Sequence, residues 1–361
     1  MDVIEHGLIG AITVAIVFAV FSWVKRDNGR YRKLLAVTMA TTFVLIILGA
    51  FVRLSDAGLG CPDWPGCYGN LTPHHSAGDI LAAEANQPGG PVSMAKAWKE
   101  MLHRYLAMIV GALIAAIMLS AWRNRYPWRQ SPLLATLLAG AVIFQAALGA
   151  WTVTMLLKPA IVTSHLLGGI FILCLLAWLH LRQASGGMEE PDWAKGIIAP
   201  SRVRVFGLLA LAVLLLQIVL GGWVSTNYAA LACADFPLCD GKLVPMMDFA
   251  NAFHIVRPLG VGPDGELLTL DALRAIHWAH RLGAVVAVLI VGSFAFALMR
   301  IASGKKAAGM LFALLAVQVL LGVSNVWFSL PLAVAVAHNG AAAALFTLLL
   351  LINLRFSKYR T

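Results

Sequence analysis

Charge is scarce in this chain. Asp, Glu, Lys and Arg make up 12% of its 361 residues, against 60% hydrophobic, whereas a soluble domain carries about 25% charged residues. That scarcity excludes an ordinary water-soluble enzyme. Acidic residues are the scarcer sign, 17 against 27 Lys and Arg, for a formal net charge of +10. Such an excess suits a nucleic-acid binder when the basic residues gather in blocks; here they are scattered in short segments between apolar runs. No aspartate-rich DxxxD motif lies within those runs, which argues against prenyl transfer from a magnesium-bound diphosphate. The five cysteines include no CxxC, the spacing usual for zinc. The first apolar run lacks a cleavage-site pattern and is followed by Lys25, Arg26, Arg30, Arg32 and Lys33, so it reads as a retained helix rather than a signal peptide.

What remains is apolar sequence in membrane-spanning lengths. Nine runs, 6–24, 34–52, 101–121, 133–154, 161–181, 205–225, 273–298, 308–329 and 333–354, have roughly the length a helix needs to cross a hydrocarbon core. The segments 25–33, 122–132, 182–204, 299–306 and 355–361 hold 18 of the 27 Lys and Arg residues. By the positive-inside rule they face the cytoplasm of a bacterial inner membrane, with the N-terminus periplasmic and the C-terminus cytoplasmic. The loops 53–99 and 226–270 then face outward. They carry Cys61, Cys67, Cys233 and Cys239 on the oxidising side, where disulfides persist. Cys61–Cys67 and Cys233–Cys239 are the expected bridges, a metal site being the weaker alternative. Cys174 lies inside a run and reads as a small core residue.

The chain repeats itself. LGAFVRLSDAGLGCPDWPGCYGNLTP (48–73) aligns without a gap on LGGWVSTNYAALACADFPLCDGKLVP (220–245), and His103, Gln145 and His165 align with His280, Gln318 and His338. The predicted fold is an all-α membrane protein of nine spans. It has two tandem four-helix bundles related by a pseudo-two-fold axis along the membrane normal, plus one extra N-terminal helix. The expected parts are 1–33 (extra helix and cytoplasmic linker), 34–181 (N-terminal half), 182–204 (cytoplasmic linker), 205–355 (C-terminal half) and 356–361 (cytoplasmic tail).

Histidines inside a membrane are costly and mark function by default. His103 and His165 in one half match His280 and His338 in the other, all toward the outer ends of their spans. A single such histidine could be a core residue bonded to a neighbouring helix. Two at one depth on separate helices of each half suit axial ligation of a haem iron. Arg104 and Arg281 follow the first histidine of each half, where they pair with a haem propionate or snorkel to lipid headgroups. Glu100, three residues before His103, shares its helix face; its counterpart is His277. The extra carboxylate makes the N-terminal half the better candidate for chemistry, with Glu100 accepting a proton during an oxidation. The plain alternative is a glutamate favoured near a helix N-terminus.

At these residues the chain resembles the haem A synthase family, in its cysteine-containing bacterial branch, over about residues 34–355. The pieces that carry the resemblance are LGAFVRLSDAGLGCPDWPGCYG (48–69), EMLHRYLA (100–107), SHLLGG (164–169), HWAHRLGA (277–284) and AHNGAAAAL (337–345). The resemblance implies oxidation of the C8 methyl of haem O to the formyl of haem A, by successive hydroxylations with oxygen from water. It implies that His280 and His338 ligate a haem b cofactor and that His103 and His165 hold the iron of the substrate haem, with Arg104 beside it. It also implies that Glu100 is the catalytic carboxylate, acting beside His103, and that Cys61 and Cys67 are the family's outer-loop pair, redox-active or structural. Haem O synthase is the upstream partner it suggests, with a membrane electron acceptor such as a quinone; a homo-oligomer stays open. The helix at 6–24 departs from the family's usual eight. The main rival is a diheme electron carrier, a quinol oxidoreductase of cytochrome b type, which the four histidines fit equally well. A transporter fits less well, because the polar residues lie near the outer surface rather than at the midplane.

Overall fold

The computed structural model describes residues 3–128, 131–184, 197–262 and 265–356. Most of the expected linker 182–204, and nearly all of the tail, fall outside those residues. In chain order the helices are α1 (Val3–Val24), α2 (Asn28–Leu54), α3 (Ala77–Asn86), α4 (Met94–Arg123), α5 (Leu133–Thr154) and α6 (Pro159–Ala184). They continue as α7 (Ser201–Thr226), α8 (Phe249–Ala252), α9 (Leu270–Met299), α10 (Lys305–Trp327) and α11 (Leu332–Phe356). Among the described residues there is no β-strand, only isolated bridges. Among the described residues eight helices, α2, α4 to α7 and α9 to α11, are long and apolar enough to cross a membrane; the apolar part of α1 is Gly10–Val24.

Capping explains why several helices begin before their apolar runs. The side chains of Asp27, Ser93 and Thr269 accept from the backbone N–H of Arg30, Lys96 and Ala272. Each satisfies an otherwise orphaned first-turn donor. Four helices end alike. The N–H of Ala57, Leu157, Ala229 and Leu330 donates to the carbonyl five residues back, on Val52, Thr152, Val224 and Asn325. In each case the residue before that donor, Asp56, Leu156, Tyr228 or Ser329, has φ between 50° and 55°. This is the closing bond of a left-handed C-terminal turn.

The chain divides into two compact units. The first runs to Leu157 and takes in α6 from Ser164. Its core joins Leu34 and Leu35 of α2, Val110, Ile114 and Ile117 of α4, Leu138 of α5 and Leu175, Leu176 and Leu179 of α6, with Val24 at the end of α1. α1 is held there by polar bonds as well. Arg123 donates to the Phe21 and Lys25 carbonyls, and its guanidinium lies 3.9 Å from the Phe21 ring centroid. Asn124 Nδ2 also donates to the Lys25 carbonyl, at 3.0 Å. The second unit holds Lys158–Thr163 and the chain from Gly187 onward. A cluster within it gathers Trp223 and Val224 of α7, Ala252 of α8 and Ala272, Ala275 and Ile276 of α9.

Candidate haem site

Each of the four histidines lies against a glycine of a neighbouring helix. A Cβ at Gly49 of α2 would stand 3.0 Å from His103 Cε1 of α4, and one at Gly221 of α7 would stand 3.0 Å from His280 Cε1 of α9. The corresponding distances are 3.2 Å for Gly149 of α5 and His165 of α6, and 3.1 Å for Gly322 of α10 and His338 of α11. These distances are tighter than ordinary van der Waals contact, so a larger residue would push each ring away by a few tenths of an ångström. The four glycines all follow a leucine, at 48–49, 148–149, 220–221 and 321–322, and all sit three residues before the carbonyl that closes the helix end. The helix pair is therefore a smaller recurring element than the half-chain repeat. The Leu-Gly dipeptides were its signal in the sequence, read there only as allowing close helix approach.

A glutamine stands four residues before the glycine in three cradles. Gln145 Nε2 donates to the His165 carbonyl at 2.7 Å. Gln217 Nε2 lies 3.0 Å from both the His280 carbonyl and His280 Nδ1. Gln318 Nε2 lies 3.3 Å from His338 Nε2. In the cradle of His103 that position is Leu45. Nδ1 of His103, His165 and His338 is buried without a hydrogen-bond partner among the described residues, as is Oε1 of Gln145, Gln217 and Gln318. These imidazoles are buried on separate helices with an unmet nitrogen in three of the four, which makes them candidate ligands.

Two cysteine-bearing loops, one after α2 and one after α7, are built alike. Cys61–Cys67 closes the first and Cys233–Cys239 the second. A cis proline sits inside each, at Trp64–Pro65 and Phe236–Pro237. Asp63 accepts from the N–H of Tyr68 and Gly69 at 2.6 and 2.7 Å; Asp235 accepts from Asp240 and Gly241 at 2.7 and 2.9 Å. Folding holds Asp235 below the usual carboxylate range, the Gly241 N–H contributing most.

The arginines after the first histidines turn to these loops. Arg104 donates to the carbonyls of Asp63 at 2.8 Å and Gly66, and pairs with Glu100. Arg281 donates to the carbonyls of Asp235, Leu238 and Cys233 at 2.9, 2.7 and 2.8 Å. The sequence offered propionate or lipid as partners; the loop carbonyls were not legible in it. Glu100 is buried, 4% exposed. One carboxylate oxygen accepts from the Cys61 N–H at 2.9 Å, and the other meets Arg104. His277 takes the same place in the second unit, between the Cys233 N–H at 3.3 Å and Arg281 Nε at 3.2 Å.

The sequence is similar to those of known proteins. A family model described as cytochrome oxidase assembly protein, COX15-CtaA, matches residues 32–350. A heme A synthase of Shewanella oneidensis is 41% identical over 322 residues, covering 89% of this chain and 94% of that protein. A heme A synthase of Novosphingobium aromaticivorans is 30% identical over 337 residues, covering 83% and 87%. One from Rhizorhabdus wittichii is 28% identical over 354 residues, covering 90% and 93%.

Proposed function

The chain belongs to the COX15-CtaA family of cytochrome oxidase assembly proteins, and we propose that it is the membrane oxidoreductase that converts haem O to haem A. The single observation that carries the assignment is the 41% identity to a heme A synthase across nearly the whole of both chains. The paired histidines in glycine cradles are what that reaction needs from the fold.

In this reading the C8 methyl of haem O takes up water and loses electrons in two steps. The first gives the alcohol with release of two protons and two electrons, and the second gives the geminal diol with release of two more. Loss of water then leaves the aldehyde. The N-terminal half takes the substrate haem, its iron between His103 and His165, with Arg104 bordering the site and keeping Glu100 in place. Glu100 accepts a proton as the methyl carbon is oxidised. In the C-terminal half His280 and His338 would hold a haem b, which supplies an electron-accepting centre when bound. The electrons leave to a membrane acceptor such as a quinone, and haem O synthase is the upstream source of substrate. We place the two halves as four-helix bundles about a pseudo-two-fold axis along the membrane normal. α1 is a ninth span, the N-terminus is periplasmic and the C-terminus cytoplasmic. The shared loop architecture and helix ends support the repeat, and the distribution of Lys and Arg supports the orientation.

Mass spectrometry of haems extracted from the purified protein, co-expressed with a haem O source, tests this. Haem A or its hydroxylated intermediate beside haem b is expected. Haem b alone, with haem O available and the protein folded, would overturn the synthase reading in favour of a diheme electron carrier.

A further inference from the structure

The four histidine cradles share the Leu-Gly pair and differ at the position four residues before the glycine. In the C-terminal half both cradles carry a glutamine, Gln217 at His280 and Gln318 at His338. The N-terminal half has Gln145 at His165 but Leu45 at His103. Leu45 packs into the apolar core of its unit and has no polar atom to offer. We propose that Gln217 and Gln318 lock the C-terminal imidazoles in the iron-binding tautomer and make that haem resident, whereas Leu45 leaves His103 ungripped so that the other haem can leave.

The chemistry is that of imidazole tautomers. A ring that binds iron through Nε2 carries its hydrogen on Nδ1, and an acceptor for that hydrogen fixes the ring and raises its basicity. All three glutamines hold a buried Oε1 with no partner among the described residues. Gln217 already lies 3.0 Å from His280 Nδ1 through its amide nitrogen. A half-turn of the carboxamide brings Oε1 to Nδ1–H; it breaks the bond to the His280 carbonyl, and Oε1 must then swing clear of that oxygen. Gln318 lies 3.3 Å from His338 Nε2, the nitrogen that iron would take, so its Oε1 receives Nδ1–H only once the imidazole turns to present that nitrogen to it. No such acceptor stands in the Leu45 position. Nδ1 of His103, like that of His165 and His338, has no partner among the described residues. What sets His103 apart is that its cradle holds no glutamine to supply one. A cofactor must stay and a substrate must exchange, so the asymmetry falls where the two roles divide. Gln217, Gln318 and Leu45 are positioning residues: they act on the haems only through the histidines.

The proposal rests on the assignment of substrate to the N-terminal half. Its test separates the two ideas. Full-length protein from a haem O-producing host is mixed with excess apomyoglobin, and the released haems are identified by chromatography over time. Haem O and haem A should leave before haem b. Gln217→Leu should speed haem b release about tenfold or more and shift its midpoint potential; Gln217→Glu, which keeps an acceptor, should hold haem b about as long as the parent does. Leu45→Gln should slow haem O and haem A release by a similar factor, a gain that a misfolded variant could not produce. Unchanged release and potential in both Gln217→Leu and Leu45→Gln would overturn the proposal while leaving the synthase reading intact. Faster loss of haem O or haem A from Gln217→Leu would overturn the assignment of the halves, and this account of exchange with it.

Discussion

Glu100 and His277 face the same surroundings: the N–H of the first cysteine of the loop and the guanidinium one turn on. The second unit is thus a control built into the molecule. It shows that capping the cysteine N–H and supporting the arginine do not require a carboxylate. What Glu100 adds is negative charge and a proton-accepting oxygen near the His103 side of α4. Replacing it by the residue its counterpart carries separates these roles. Glu100→His should leave folding and bound haem close to the parent, because the loop contacts have a proven substitute. Haem A formation should fall by about 100-fold or more, the usual loss of a positioned acid–base group. Full activity in Glu100→His would remove the carboxylate from the chemistry, whatever the spectrum of the bound haem.

At the scale of elements, the apolar runs were legible from hydropathy because a helix in lipid must satisfy its backbone internally. The run at 133–154 coincides with α5. α4 begins at Met94 rather than 101, because Ser93 caps a polar first turn that hydropathy cannot see. The loops were legible only as cysteine pairs. Their Asp63 and Asp235 turns and their arginine clamps join residues up to 48 apart in sequence, and no local pattern announces such contacts. The histidine pairs were legible through the repeat. Their glycine cradles were not, since a glycine in a membrane helix marks close approach without saying what approaches. The second loop also carries a pH dependence. Asp235 has a folded pKa below its ordinary value of 3.8, chiefly through the Gly241 N–H. A lowered pKa stabilises the loop above the unfolded value, and that contribution is lost as pH falls through the folded value. Hydrogen exchange at the Asp240 and Gly241 amides, corrected for intrinsic rate, should show protection that weakens only in that acid window. Asp235→Asn should flatten the profile; an unaltered profile in the variant would assign the protection to another group.

At the scale of the whole molecule, α1 is the element that the resemblance to an eight-helix family leaves unexplained. Its apolar contacts with the first unit are replaceable in a bilayer, because lipid chains are as apolar as the side chains they would displace. Its polar contacts are not. Asn124 is fully buried and donates to the Lys25 carbonyl, while Arg123 donates to the carbonyls of Phe21 and Lys25. Removing residues 1–25 therefore takes the acceptors and leaves the donors. A buried donor without a partner costs about 1–3 kcal/mol, so the truncated chain should melt earlier, by a loss concentrated at the end of α4. The second unit has its own histidine cradles and its own core, so low-spin haem b content should persist. Adding Asn124→Leu to the truncated chain should recover part of the lost stability, since it deletes the buried amide whose Lys25 partner is gone, whereas the same change in the full chain should only destabilise. Opposite signs in the two backgrounds identify α1 as a polar staple on α4. Destabilisation of equal size in both would mean that Asn124 acts through its bond to the Ser120 carbonyl and that α1 is held by apolar packing alone.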